Sequence, residues 1–276
     1  MNGTITFLVD NKAKEPYIAE HGLSILLEIK GKRLLFDTGQ GKALFHNAKK
    51  LGISLSGLNA LILSHGHYDH GGNLAKIFSL NPSLPFFAHP NCLRPRWSLH
   101  PGKESKSVAL SKKDRAAIMN LSPTQLHWCH NPIEIMTEVW ISGAIPRKNS
   151  FEDVGGPFYQ DKMGNKPDLL PDDIALWIGG ESGLTVIFGC GHSGVKNTIE
   201  HIVSLYDVIQ INTLIGGFHL VHAKNKRLTK TVSFINETGV KRVFPAHCTG
   251  ETAVTILHEQ LNAEVQPGKV GLQIRI

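Results

Sequence analysis

The sequence predicts an α/β protein, and three observations carry that prediction. Short apolar runs alternate with stretches of helical spacing along most of the chain. "SILLEIKGKRLLFDTG" (24–39) reads as two strands joined by a tight turn at Gly31-Lys32. A hydrophobic content of 41% with 19% charged residues describes an ordinary globule able to bury a core. At 276 residues the expected organisation is a single large domain.

The elements follow in order. "ITFLVD" (5–10) is a strand, the hairpin at 24–39 follows, and "KALFHNAKKLG" (42–52) is a helix. "NALILS" (59–64) is a further buried strand, "NLAKIFSL" (73–80) a helix and "LPFFAH" (84–89) a strand. Residues 90–172 are rich in Pro, Lys, Ser and His, and only short apolar runs such as "IEIMTEVWI" (133–141) interrupt them. That stretch is expected to be an insertion or cap within the domain. Regular signals resume with the strand pair "IALWIGGESGLTVIFG" (174–189) and the helix "VKNTIEHIVSLY" (195–206), which places Val195, Ile199, Ile202 and Val203 on one face. A strand at 208–217, a helix at 225–239, a strand at 241–247, a helix at 250–261 and a last strand at 270–276 complete the chain.

Composition narrows the function. No apolar run reaches the ~18–20 residues of a membrane span, and the N-terminal stretch lacks a signal-peptide core, so cytoplasmic residence and no membrane partner are expected. The net charge of +6 suits a small anionic substrate, but the basic residues are dispersed and nucleic acid is a disfavoured partner. Cys92, Cys129, Cys190 and Cys248 form no CxxC pair and no secreted disulfide pattern. Two of them lie beside histidines in glycine-rich turns, "GCGHSG" and "PAHCTG".

"LSHGHYDHGG" (63–72) holds the strongest chemical signal. An extended chain leaving the strand puts His65 and His67 on one side. A turn then brings Asp69 and His70 to the same place from another direction. Gly66, Gly71 and Gly72 are expected to supply unusual backbone angles for that turn. Imidazoles with a carboxylate suit zinc, iron, manganese or nickel, and two ligand sets a few ångströms apart suit two ions.

"FDTG" (36–39) followed by "LILSHGHYDHGGNL" (61–74) resembles the metallo-β-lactamase superfamily. The resemblance implies a four-layer αββα sandwich, with the insertion at about 90–172 and a dinuclear centre at the sheet edges. It implies that His65 and His67 bind one metal, that Asp69 and His70 bind the other, and that Asp37 orients the metal loop. "ISGAIPRKNSFED" (141–153), "PDDIALWI" (171–178), "FGCGHSGVKNTI" (188–199), "IGGFHL" (215–220) and "PAHCTG" (245–250) resemble, more narrowly, the dihydropterin-ribofuranosylaminobenzene-phosphate synthase-like branch.

The chain departs from the superfamily pattern at two places. No GHTPG-like turn supplies a third histidine to the first metal, and Cys190 stands where the bridging aspartate is expected. His192 is then expected as the missing ligand, while thiolate ligation by Cys190 and simple packing of a buried cysteine stay open. His247 fits the late ligand of the second metal. His219, after two glycines, is expected to contact substrate or support the ligands, and Cys248, on an extended chain, to point away and pack. Arg147 is expected to bind a phosphate or carboxylate, or else to pair with Glu152, Asp172 or Asp173.

The implied activity is a metal-dependent hydrolase, or a related transferase, using two divalent ions: zinc first, with iron or manganese as alternatives. A metal-bound hydroxide would attack, Asp69 would take its proton, and His219 or Arg147 would steady the developing charge. A pterin- or phosphate-containing substrate follows from the resemblance alone. An iron-containing redox protein with a Cys ligand and a nucleic-acid phosphodiesterase are the alternative classes. A homodimer is compatible with everything above.

Overall fold

The computed structural model describes residues 3–180, 183–205 and 210–276, divided into two compact units. Residues 1–128, 157–168 and 269–276 form the first, and residues 129–156 and 169–268 the second. The 90–172 stretch is shared between them.

The first unit is built on a seven-stranded sheet. Its spatial order is Gln273–Arg275, Gly3–Val9, Ser24–Ile29, Lys32–Phe36, Ala60–Leu63, Phe86–Ala88 and Leu126–Trp128. The first four strands are antiparallel neighbours, and pairing turns parallel from Lys32–Phe36 onward. The predicted hairpin forms, but its turn lies one residue early. Lys30 and Gly31 both take left-handed φ values, of 49° and 73°, and Lys32 already belongs to the second strand. A turn with two positive φ values matches the right-handed twist of the flanking strands. Helices Ala43–Lys50, Leu74–Leu80 and Lys112–Met119 give Leu44, Ala48, Leu74, Ile77 and Ile118 to the core of this unit.

The second unit carries its own seven-stranded sheet, in the order Glu264–Val265, Arg242–Ala246, Ile211–Gly217, Leu184–Phe188, Ala175–Ile178, Val139–Ile141 and Ile133–Met136. Here too an antiparallel half gives way to a parallel half, at the pairing of Leu184–Phe188 with Ile211–Gly217. "IEIMTEVWI" is therefore a hairpin that extends this sheet. On the helix Val195–Val203, Val195, Ile199 and Ile202 are buried as expected, but Val203 sits at the helix end and is exposed. The predicted helix residue Tyr206, the strand residues Val208 and Ile209, and Glu181-Ser182 of the predicted turn lie outside the described residues. Helices Asn225–Thr238 and Glu251–Gln260 complete this core with Leu228, Val232, Ile235, Ala253 and Leu257.

The shared strand pattern explains where the chemistry is placed. Parallel strands connected through helices all end on one side of their sheet, and that carboxyl edge is where α/β sheets hold ligands. Asp37 follows Lys32–Phe36, and the histidine cluster follows Ala60–Leu63. "GCGHSG" follows Leu184–Phe188, His219 follows Ile211–Gly217 and His247 follows Arg242–Ala246. Each unit thus gathers its candidate residues at the carboxyl ends of its parallel strands. Among the described residues no helix is long and apolar enough to cross a membrane.

Candidate metal centre

In the first unit, Asp37 organises the cluster. It is fully buried, and its carboxylate accepts from the Ser64 backbone N–H at 2.7 Å, the Ser64 hydroxyl at 2.7 Å and His70 Nδ1 at 2.6 Å. Because the Ser64 hydroxyl spends its proton on Asp37, its oxygen must accept from His65 Nδ1, 2.9 Å away. The two tautomers follow. His65 and His70 each carry a proton on Nδ1 and present Nε2 as the ligating nitrogen. His65 Nε2 lies 3.0 Å from His67 Nδ1, a spacing suited to two nitrogens on one cation at about 2.0–2.1 Å each.

The glycines of the loop have a different purpose from the one expected. Gly66, Gly71 and Gly72 keep negative φ values, and what they need is room. A methyl group would run into the Cys92 backbone at Gly66, the Leu110 side chain at Gly71 and the Gln40 backbone at Gly72.

Asp69 is buried, and its Oδ2 lies 3.1 Å from Nε2 of His21, a residue that no local sequence motif marks. Gly22 N–H donates to Asn11 Oδ1, so Asn11 turns its amide nitrogen toward His21 Nδ1 at 3.5 Å. The neutral His21 ring then carries its proton on Nε2 and donates it to Asp69. Phe158, likewise outside any motif, lies with its ring centroid 5.0 Å from that of His67.

In the second unit, the loop Arg147 to Gly155 holds the candidate residues. Asn197 Oδ1 accepts from the backbone N–H of Lys148 and Asn149. Glu152 accepts from the N–H groups of Lys196 and Asn197 at the start of the helix Val195–Val203, where a carboxylate is favoured. Val154 presents its carbonyl to His192 Nδ1 at 2.8 Å. His192 therefore also presents Nε2, the same tautomer as His65 and His70. Its ring meets that of His219 edge-on at 4.1 Å between centroids, and Gly155 packs so closely on His219 that any side chain there would strike the ring.

Arg147 forms no ion pair with Glu152, Asp172 or Asp173. Its Nη2 donates to the carbonyls of Leu169 at 3.0 Å and His192 at 2.6 Å. Burial holds its pKa below the ordinary guanidinium value; Asp173 opposes that shift and the like charge of Arg227 adds to it. Cys190 is a buried thiol, 3% exposed. Cys248 does not continue an extended strand. His247 has φ 48° and opens a 3-10 turn, which directs the Cys248 thiol to the Cys190 carbonyl at 3.3 Å. His89 caps the turn Pro90–Leu93 by accepting from Asn91 N–H.

Backbone strain marks the same residues. Among the described residues, the non-glycine positions with left-handed φ are Lys30, Asp37, Glu138, Leu170, His219 and His247. Three of these are candidate site residues. Such conformations cost about 1–3 kcal/mol each and persist where function holds them.

Asp173 offers a test by pH. It is buried, accepts from Ser193 N–H at 2.6 Å, and burial pushes its pKa up from 3.8 to about 6. The folded state therefore binds this proton more tightly than the unfolded chain. That contribution to stability is fully present below pH 3.8 and is lost as pH rises through 6, at most ~3 kcal/mol in all. Asp173→Asn keeps an acceptor for Ser193 and removes the titration. Urea unfolding at pH 4 and pH 7.5 should show the variant gaining on the wild type at the higher pH. Equal gaps at both pH values would contradict the assignment.

Comparison with known proteins agrees with this geometry. The profile of the metallo-beta-lactamase superfamily matches residues 18–201. The 7,8-dihydropterin-6-methyl-4-(β-D-ribofuranosyl)-aminobenzene-5'-phosphate synthase of Methanocaldococcus jannaschii is 30% identical over 272 residues, 94% of this chain and 91% of that protein. An uncharacterised protein of the same organism is 32% identical across 99% of this chain and 100% of its own length. Among solved structures, a metal-dependent hydrolase of the β-lactamase superfamily superposes with a TM-score of 0.84 at 27% identity, covering 99% of both chains. A diphosphatase of the PhnP family shares the fold at TM-score 0.56 and 14% identity, over 100% of this chain and 98% of that one. The chain is thus an enzyme with the metal-dependent hydrolase fold, and it belongs to the metallo-β-lactamase superfamily.

Proposed function

We propose that the protein is a metal-dependent hydrolase, or a closely related transferase, that holds two divalent ions, zinc first, and acts on a small anionic substrate. His65, His67 and His192 are assigned to the first ion, and Asp69, His70 and His247 to the second, with Cys190 as a thiolate ligand in the place of the bridging aspartate. The observation that carries this reading is the shared tautomer. Ser64, Asp37 and Val154 each take an Nδ1 proton, so His65, His70 and His192 present Nε2 as ligating nitrogens. Superfamily membership supports assigning both residue sets to one dinuclear centre.

When bound, such ions supply Lewis acidity and bring the pKa of a water near neutrality. Asp69 then takes the proton of the attacking water, and the Nε2–H of His21 steadies the carboxylate. His219 and Arg147 stabilise charge developing on the substrate. The similar synthase from M. jannaschii supports a pterin- or phosphate-containing substrate.

Hydrolysis of the generic probes p-nitrophenyl phosphate and bis(p-nitrophenyl) phosphate tests the reading. Turnover should vanish on chelation, return with zinc, and fall at least 100-fold in His67→Ala. Turnover indifferent to chelation would contradict it. Cobalt substitution tests Cys190 separately. A sulfur-to-cobalt charge-transfer band in the near ultraviolet is expected, and Cys190→Ser should abolish it. A spectrum without that band would return Cys190 to packing.

A further inference from the structure

Two arginines of the second unit keep donors that the protein does not use. Arg227, on the helix Asn225–Thr238, is 4% exposed, and its Nη1 donates to Asp153 Oδ1 at 2.6 Å and to the Asp153 carbonyl at 3.1 Å. Its Nε and Nη2 are buried with no hydrogen-bond partner among the described residues. Those two nitrogens form the side-on fork that fits two oxygens of a carboxylate or phosphate. Thr231, one helical turn further on, has a buried hydroxyl that also lacks a partner among the described residues. Arg147 is half-buried and spends only Nη2, on the two carbonyls, so its Nε and Nη1 have no protein partner among the described residues.

Both arginines converge on His192. Arg147 binds its carbonyl, while Arg227 binds Asp153, the neighbour of the Val154 carbonyl that receives His192 Nδ1. The nearby carboxylates each hold a backbone N–H or Arg227 Nη1, although one oxygen of Asp173 has no hydrogen-bond partner among the described residues. Glu152 takes the N–H groups of the helix start, Asp153 takes Arg227 Nη1, and Asp173 takes Ser193 N–H. Two positive groups with unspent, preorganised donors therefore lie within one loop of His192.

We infer that Arg147 and Arg227 form an oxyanion subsite that takes the phosphoryl or carboxylate group of the substrate, with the Nε–Nη2 fork of Arg227 as its bidentate clamp. The subsite deepens the hydrolase reading and rests on it for its role in turnover, but not for its binding chemistry. Arg227 is a specificity-determining residue, set on the buried face of its helix with Leu228, Thr231, Val232 and Ile235.

The test is calorimetric titration of the full chain with inorganic phosphate and, separately, with acetate, each with zinc bound and after chelation. Anion binding through the arginines survives chelation, whereas binding through metal does not. The expected result is saturable binding to the chelated chain, weakened about tenfold or more in Arg147→Gln and in Arg227→Lys, which keeps the charge but loses the fork. Tighter phosphate than acetate assigns a phosphoryl group, the reverse assigns a carboxylate, and either supports the subsite. No saturable binding of either anion to the chelated wild type overturns it, as does wild-type affinity in Arg147→Gln. If Arg227→Lys fails to fold, Arg147→Gln at the half-exposed position decides alone. Loss of metal-dependent hydrolysis with anion binding intact would sink the hydrolase reading and leave the subsite standing.

Discussion

Replacing Asp37 with alanine is expected to lower zinc affinity 10- to 100-fold and to cost about 3–5 kcal/mol of stability. The carboxylate is fully buried and accepts from the Ser64 N–H, the Ser64 hydroxyl and His70 Nδ1. Its removal strands three buried donors and frees the serine whose oxygen fixes the His65 tautomer. Asp37→Asn should be nearly as damaging to zinc affinity, because its amide brings donors to groups that themselves donate. Competition against a chelator of known affinity measures the first effect, and urea unfolding of the chelated chain measures the second. Wild-type zinc affinity in Asp37→Ala would show that the carboxylate does not position the ligands.

Breaking the buried pair of Arg96 and Asp168 should be about as costly. Arg96 is fully buried, its Nε donates to Asp168 at 2.9 Å, and its Nη2 donates to the Asn91 carbonyl at 3.2 Å. Arg96→Met removes the buried guanidinium that donates to Asp168, expected to cost about 3–5 kcal/mol. The double variant Arg96→Met, Asp168→Leu removes both charges and should recover most of that loss. The pair also anchors the segment that places Phe158 beside His67, since Asp168 N–H donates to the Phe158 carbonyl. The single variant should therefore be cut faster by protease within 157–168. A double variant no more stable than the single one would contradict this account.

What the sequence disclosed, and what it withheld, divide along the range of the interactions. The HxHxDH spacing is local, so His65, His67, Asp69 and His70 could be read directly. The strand runs that carry the other candidates to the sheet edges were equally readable. Hidden were contacts that join distant segments. His21 reaches Asp69 across 48 positions because Gly22 ties Asn11 in place. Arg227 meets Asp153 across 74 positions, a contact that local spacing cannot reveal. The glycines at 66, 71 and 72 suggest in sequence a conformational need, while the folded chain needs them for close packing. Cys248 packs in the core as expected, but on a 3-10 turn and not on an extended strand, because a left-handed φ at His247 is not written in local propensity. Arg147 stands out in the sequence, but its partners are backbone carbonyls, which carry no signature there.

Counting and locating the metals tests the central claim most directly. Elemental analysis of the protein as purified, with anomalous diffraction at the metal edges, should find two ions per chain. One should be bound by His65, His67 and His192, and the other by Asp69, His70 and His247. A chain that retains no tightly bound metal, or one whose ion leaves His65 and His67 without a bond to it, would contradict the account.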